Sequence, residues 1–185
     1  MELQRIGVKI FAAEPVSVPL GDFIPVFHGW IQRRAIKGHL LIDIHDYSHI
    51  HRGPGVLLVA HEANFSIDMG EGRLGLLYYR KQPLNGDPDA RVAAIVETAL
   101  EACRLLEEDP AFAGKLRFKR DDLLVVANDR LHAPNDSRTF AELEPVLKAG
   151  LTRALGVNVT LKPTSSDPRE RLTIQVSTNA AQGQR

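Results

Sequence analysis

The fold is decided by residues 40–67, which read LLIDIHDYSHIHRGPGVLLVAHEANFSI. Two runs rich in aliphatic and aromatic residues, Leu40–Ile50 and Val56–Ile67, flank the turn-forming segment His51–Gly55. This pattern predicts a β-hairpin. Alternate residues of its strands form one apolar face, which we expect to pack against helices. That face consists of Leu40, Ile42, Ile44, Val56, Leu58 and Ala60.

The segments on both sides of the hairpin alternate between strand and helix patterns. On the N-terminal side we expect a strand over Arg5–Ala12 and an amphipathic helix over Leu20–Ala35. On the C-terminal side, Asp87 and Pro88 have the properties of an N-cap and a first helical residue, so a long helix is predicted over Pro88–Glu108. The other predicted elements are a strand Leu74–Arg80, a strand Asp122–Ala127, a helix from the capping box Thr139/Glu142 to Gly156, and strands Val157–Leu161 and Arg171–Ser177.

This order predicts an α+β protein with a mostly antiparallel sheet and its helices on one face. It divides into two β-α-β-β halves, about residues 5–67 and 116–177, linked by an extra strand and the long helix. Both first helices contain a similar segment, FIPVF at 23–27 and LEPVL at 143–147, and a helical proline is costly. We therefore expect an internal duplication, with chance as the alternative. One domain is expected over residues 1–177, followed by a flexible tail over 178–185.

The composition argues against several classes of partner. The 23 basic residues balance the 23 acidic residues, so the sequence argues against binding to nucleic acid or to an anionic membrane surface. No apolar stretch is long enough to cross a membrane. The single cysteine, Cys103, falls on the apolar side of the long predicted helix and is expected to be buried. These features favour a cytoplasmic protein.

The hairpin also predicts a site. If its turn places Ile50 opposite Val56, His45 lies opposite His61, with Cβ atoms about 5 Å apart. Asp43 and Tyr47 lie on the same face, and Glu62 follows His61. Two imidazoles with a carboxylate favour a transition metal such as Zn, Fe or Mn. The alternative is that these histidines only donate hydrogen bonds to nearby oxygens.

The face that carries these histidines is also partly apolar, through Leu41, Leu57, Val59 and Phe65. Exposed apolar patches of this kind mark interfaces. The first functional hypothesis is therefore a binding or assembly protein that self-associates or takes a small ligand through this mixed face. The alternative is a small metal-dependent enzyme with His45 and His61 as metal ligands.

A second candidate site is the polar loop that follows the strand Asp122–Ala127. Asn128, Asp129 and Arg130 precede a helix N-terminus, where backbone donors favour an anion. Turn formation and helix capping explain the same residues equally well, and both interpretations stay open.

Overall fold

The structure, a computed structural model, describes residues 5–178, which form one sheet of eight strands and three α-helices. The strands are β1 Ile6–Ala12, β2 Leu41–Tyr47, β3 Gly55–Ala60, β4 Ala63–Asp68, β5 Gly75–Arg80, β6 Phe118–Ala127, β7 Val159–Pro163 and β8 Leu172–Thr178. The helices are α1 Phe23–Arg33, α2 Pro88–Glu108 and α3 Ser137–Leu155. Residues 179–185 of the predicted tail lie outside the described residues, and Thr178 ends β8 instead of belonging to the tail.

The strands follow the order β2-β3-β4-β5-β1-β6-β8-β7, and every neighbouring pair is antiparallel. α1 packs on β2 and β3, α2 packs on β1 and β5, and α3 packs on α2 and β7. Side chains from all three helices join those of one sheet face in a single hydrophobic core. The α+β class is therefore confirmed, as is the antiparallel sheet.

Helix α2 has the bounds that the sequence predicts, with Asp87 as N-cap and Pro88 at its first position. Its buried face includes Cys103, which is confirmed as a core residue, and burial raises the pKa of that thiol well above its ordinary value. No helix in the described part of the chain is long and apolar enough to cross a membrane.

The predicted single strand Val56–Ile67 is wrong. It is two strands, β3 and β4, joined by a tight turn at His61 and Glu62, and Val59 of β3 pairs with Asn64 of β4 beside that turn. The turn is held by main-chain bonds, because His61 N donates to Leu40 O and Glu62 O accepts from Lys81 N. It contains no glycine or proline, so the usual signals of a chain reversal are missing.

The internal duplication is not confirmed. In the second half, β8 pairs directly with β6, whereas β4 and β5 separate β3 from β1 in the first half. The two helical prolines also differ in position. Pro25 is the third residue of α1, where the backbone amide has no partner within a helix, but Pro145 lies well inside α3.

Candidate functional site

The sheet face opposite the helices carries a row of paired residues that crosses all eight strands. From edge to edge the row is His45, Leu57, Ser66, Leu77, Lys9, Leu124, Gln175 and Lys162. Within residues 5–178, no α-helix packs on this face, and yet Lys9, at its centre, is only 4% exposed. The segments that connect the strands must therefore cover the middle of this sheet face.

Between these connecting segments and the sheet face lies a groove with two adjoining cavities of ≈ 660 and ≈ 610 Å³. Arg52 and Arg171 line both cavities, although Arg52 lies in the β2–β3 turn and Arg171 directly precedes β8. These segments belong to opposite halves of the sheet. They line one space although four strands, β4, β5, β1 and β6, lie between β3 and β8. We call this space the concave groove.

One end of the concave groove is occupied by a stacked cation. The guanidinium carbon of Arg73 lies 3.6 Å from the ring centroid of Phe11, and Arg73 Nη1 donates to Asp122 Oδ2 at 2.6 Å. Gln175 Nε2 donates to the other oxygen, Asp122 Oδ1, at 2.6 Å. Burial opposes the charge of Asp122, but the hydrogen bonds from Arg73 and Gln175 outweigh it and lower the pKa of this carboxyl. Arg73 is thus already paired and stacked.

Lys9 forms the polar centre of the groove. Its Nζ donates to Asp68 Oδ1 at 2.6 Å, to Glu71 Oε2 at 2.7 Å and to Gly70 O at 3.0 Å. A Cβ atom added at Gly75 would lie 2.6 Å from Lys9 Cε, so the missing side chain of this glycine makes room for the lysine stem. The fold therefore accommodates a nearly buried ammonium group with three acceptors.

Two arginines at the rim differ from these paired cations. Within residues 5–178, the side chains of Arg52 and Arg171 make no hydrogen bond and no ion pair. Their neighbour Arg169 is paired instead with Asp167, at 2.7 Å between Nη2 and Oδ2. A guanidinium group presents several donors in a planar fork that matches carboxylate and phosphate oxygens. Arg52 and Arg171 are therefore available to an anion that enters the groove.

The predicted loop residues Asn128, Asp129 and Arg130 lie beside the β7–β8 loop, which carries Arg171. Arg130 Nη1 donates to Arg169 O at 2.7 Å. Asn128 N donates to Arg5 O, and a hydrogen bond with His132 lowers the pKa of Asp129. None of the three lines either cavity of the concave groove.

A buried residue of the same loop, Asn135, also holds the β7–β8 loop in place. Asn135 Nδ2 donates to Asp167 O at 2.9 Å, and Asp136 is the N-cap of α3. The capping residue is thus Asp136, whose side chain accepts from Thr139 N, and the predicted capping box at Thr139/Glu142 is wrong by three residues. The loop positions the β7–β8 loop and caps a helix.

The predicted pairing of His45 with His61 is wrong. His45 pairs with Leu57, and His61 lies in the turn beyond β3, about 13 Å further along the strand direction. The turn between β2 and β3 spans residues 48–54 and is longer than the sequence suggested, so the register shifts by four residues. Asp43 accordingly pairs with Val59 and Tyr47 with Gly55.

Other parts of that prediction agree with the geometry. Asp43, His45 and Tyr47 do share the open face, with 3.8 Å between Asp43 Oδ2 and His45 Nε2. Glu62 accepts a hydrogen bond from Leu40 N at 2.8 Å, far from His45. Among the described residues, no group of three or more His, Cys, Asp or Glu side chains is arranged to hold a metal ion. The proposed metal ligands are therefore not brought together.

Sequence reasoning missed Lys9, Arg52 and Arg171. A signal for Lys9 was present, because it alternates with Gly7 and Phe11 on one side of a strand whose other side is apolar. A large aromatic residue beside a lysine indicates a face that is partly covered. Arg52 lies in a turn and Arg171 immediately before β8, and nothing in either local sequence indicates that the two side chains line one groove.

The fold and the site together define an α+β protein with a covered, cation-rich groove on its helix-free sheet face. Comparisons of the chain with protein-family models, with curated proteins and with solved structures found no match.

Proposed function

We propose that this chain binds a small organic anion in the concave groove. The observation behind the proposal is that Arg52 and Arg171, from distant parts of the chain, line the same two cavities without a partner among the described residues. Hydrogen bonds between arginine and carboxylate or phosphate are short and strong, and they are often bidentate. An acid group between the two arginines would use donors that have no acceptor within residues 5–178.

The floor of the groove favours an organic anion over a bare inorganic one. Leu77, Leu124 and Val126 line the second cavity together with Lys9 and Thr173. Sites for small molecules place apolar side chains beside directed polar groups, in volumes of about 300 to 1,000 Å³. Both cavities of the groove fall in this range.

Chemical-shift mapping on the whole protein tests the proposal. Pyrophosphate and hexanoate, which represent a compact and an apolar anion, are titrated into ¹⁵N-labelled protein. We expect saturable shifts at backbone amides of residues 51–53, 70–73 and 171–175. Shifts scattered over the helix-covered face, or none at millimolar concentration, would contradict the proposal.

Self-association through the 40–67 hairpin is a second candidate function. Leu40, just before edge strand β2, and Ile42, within it, are 61% and 54% exposed, although the prediction had placed both in the core. An edge strand presents unpaired backbone donors and acceptors, and apolar side chains beside it favour pairing with another copy. Light scattering after size exclusion should then show a dimer that Ile42→Lys converts to a monomer. A monomeric wild-type protein would exclude this candidate.

The cytoplasmic location also stays a proposal, based on the single, buried Cys103.

A further inference from the structure

We propose that Lys9 is a second anion-binding group of the concave groove, and that Glu71 occupies it in the free protein. The inference rests on the proposed function, since it concerns the same groove. It assigns to Glu71 the role of an internal competitor that the ligand displaces.

The three acceptors of Lys9 differ in how firmly they are held. Asp68 is buried, and its Oδ1 also accepts from Gly70 N at 2.7 Å. The second acceptor, Gly70 O, is a backbone atom. Only Glu71 contributes an exposed group, because its side chain is 51% accessible while that of Lys9 is 4% accessible. Of the three acceptors of Lys9, Glu71 is therefore the one that a ligand oxygen replaces most easily.

The position of Glu71 faces the space that a ligand would enter. Glu71 lines both cavities, and Lys9 lines the cavity whose floor is apolar. The backbone of Glu71 is left-handed, with φ of 58°, a conformation that costs free energy for a residue with a side chain. Such costs are retained where the conformation serves a function. Here it directs the carboxylate to Lys9.

Exchange of Glu71 for a ligand keeps the site balanced. An ammonium group has three donors, and Lys9 uses all of them. A ligand oxygen in place of Glu71 Oε2 leaves Lys9 with three acceptors and replaces one negative charge by another. Glu71 moves into water, to which half of its side chain is already exposed. Lys9 therefore has three acceptors both before and after the exchange.

Calorimetric titration of pyrophosphate into the full chain measures the competition. Glu71→Gln removes the competitor, and we expect about fivefold tighter binding, the equivalent of one partly exposed ion pair. Glu170→Gln is the matched control, since Glu170 lines the same groove and its carboxylate accepts no hydrogen bond within residues 5–178. We expect less than about a twofold gain from this control, through general electrostatics alone.

A crystal structure of the wild-type protein with pyrophosphate provides the second readout. We expect an anion oxygen within hydrogen-bond distance of Lys9 Nζ and a Glu71 carboxylate turned toward solvent. Equal gains from both variants, or a bound anion with the Lys9–Glu71 pair intact, would overturn the inference. If the inference fails in this way but the wild type binds pyrophosphate and Arg52→Gln does not, the proposed function still stands. If neither the wild type nor any variant binds pyrophosphate, both proposals are overturned.

Discussion

Lys9 Nζ lies 2.6 Å from Asp68 Oδ1, and the two side chains are 4% and 9% exposed. They join the central strand β1 to the end of β4, across the intervening β5. Removing one partner of a buried ion pair leaves an uncompensated charge in a poorly hydrated site. We therefore expect Lys9→Met and Asp68→Asn each to lower the free energy of unfolding by about 3 kcal/mol, measured by urea denaturation.

The double variant separates this pair from a general loss of packing. If the two groups depend on each other, the combined change costs clearly less than the sum of the single changes. Additive effects, within about 0.5 kcal/mol, would show that the pair is not coupled.

Gly75→Ala tests whether the lysine stem needs the space over β5. The new Cβ would lie 2.6 Å from Lys9 Cε and 3.1 Å from Ile10 O, so the stem or the strand has to move. We expect the free energy of unfolding, measured by thermal denaturation, to fall by about 2 kcal/mol, which is typical of overpacking. Gly21→Ala is the control, because a Cβ there meets no atom within 4 Å. Similar melting temperatures for both variants would contradict the packing described for Lys9.

His39 predicts a pH dependence of stability. Its Nδ1 contacts Lys37 O at 3.0 Å and its Nε2 contacts the Tyr78 hydroxyl at 2.8 Å. A carbonyl oxygen only accepts, so Nδ1 carries the proton of the neutral ring and Nε2 accepts from Tyr78. Burial lowers the pKa of His39 and outweighs the bond to Lys37.

The sign follows from this lowered pKa. As pH falls below about 6.5, the unfolded chain takes up a proton at this histidine before the folded protein does, so stability decreases. Urea denaturation between about pH 5 and 8 should show this loss, and His39→Gln should reduce it. His28→Gln, which removes an exposed histidine of α1, is the comparison. An unchanged pH slope in His39→Gln would refute the assignment.

Asn135→Ala tests how the β7–β8 loop is positioned. Asn135 is buried and donates to Asp167 O, so its loss leaves a carbonyl without this partner. We expect a destabilisation of about 1 to 2 kcal/mol and weaker pyrophosphate binding, because the loop carries Arg171. Thr164→Ala, at the other end of the loop and exposed, should have a smaller effect on stability. Unchanged pyrophosphate binding in Asn135→Ala would show that the hydrogen bond from Asn135 to Asp167 does not position Arg171 for binding.

The elements with strong local signals could be predicted from the sequence. Helix α2 begins and ends where its cap, its proline and its apolar spacing indicate. The open face of β2 was also predicted, since alternation alone places Asp43, His45 and Tyr47 on one side. The bounds of α2 and the open face of β2 depend only on residues that are close together in the sequence.

The site could not be predicted, because it depends on relationships between distant segments. The turn at His61 and Glu62 has no breaker residue, so β3 and β4 read as one strand. The β2–β3 turn is longer than the sequence suggests, so the register of β2 against β3 differs by four residues from the expected one. The register expected from the sequence therefore placed His45 opposite His61, a pair that the fold does not form. Arg52 belongs to the predicted turn and Arg171 to the start of a predicted strand, so neither carries a local signal of a groove that only the tertiary fold assembles.

The central claim is that Arg52 and Arg171 bind an anion in the concave groove, and calorimetry with pyrophosphate tests it most directly. The wild type is compared with Arg52→Gln/Arg171→Gln and with Arg117→Gln, an exposed arginine outside both cavities. We expect saturable binding by the wild type, little change in Arg117→Gln, and at least about a tenfold loss in the double variant, since two charge-assisted contacts disappear. Binding that survives in the double variant, or that falls equally in Arg117→Gln, would contradict the account.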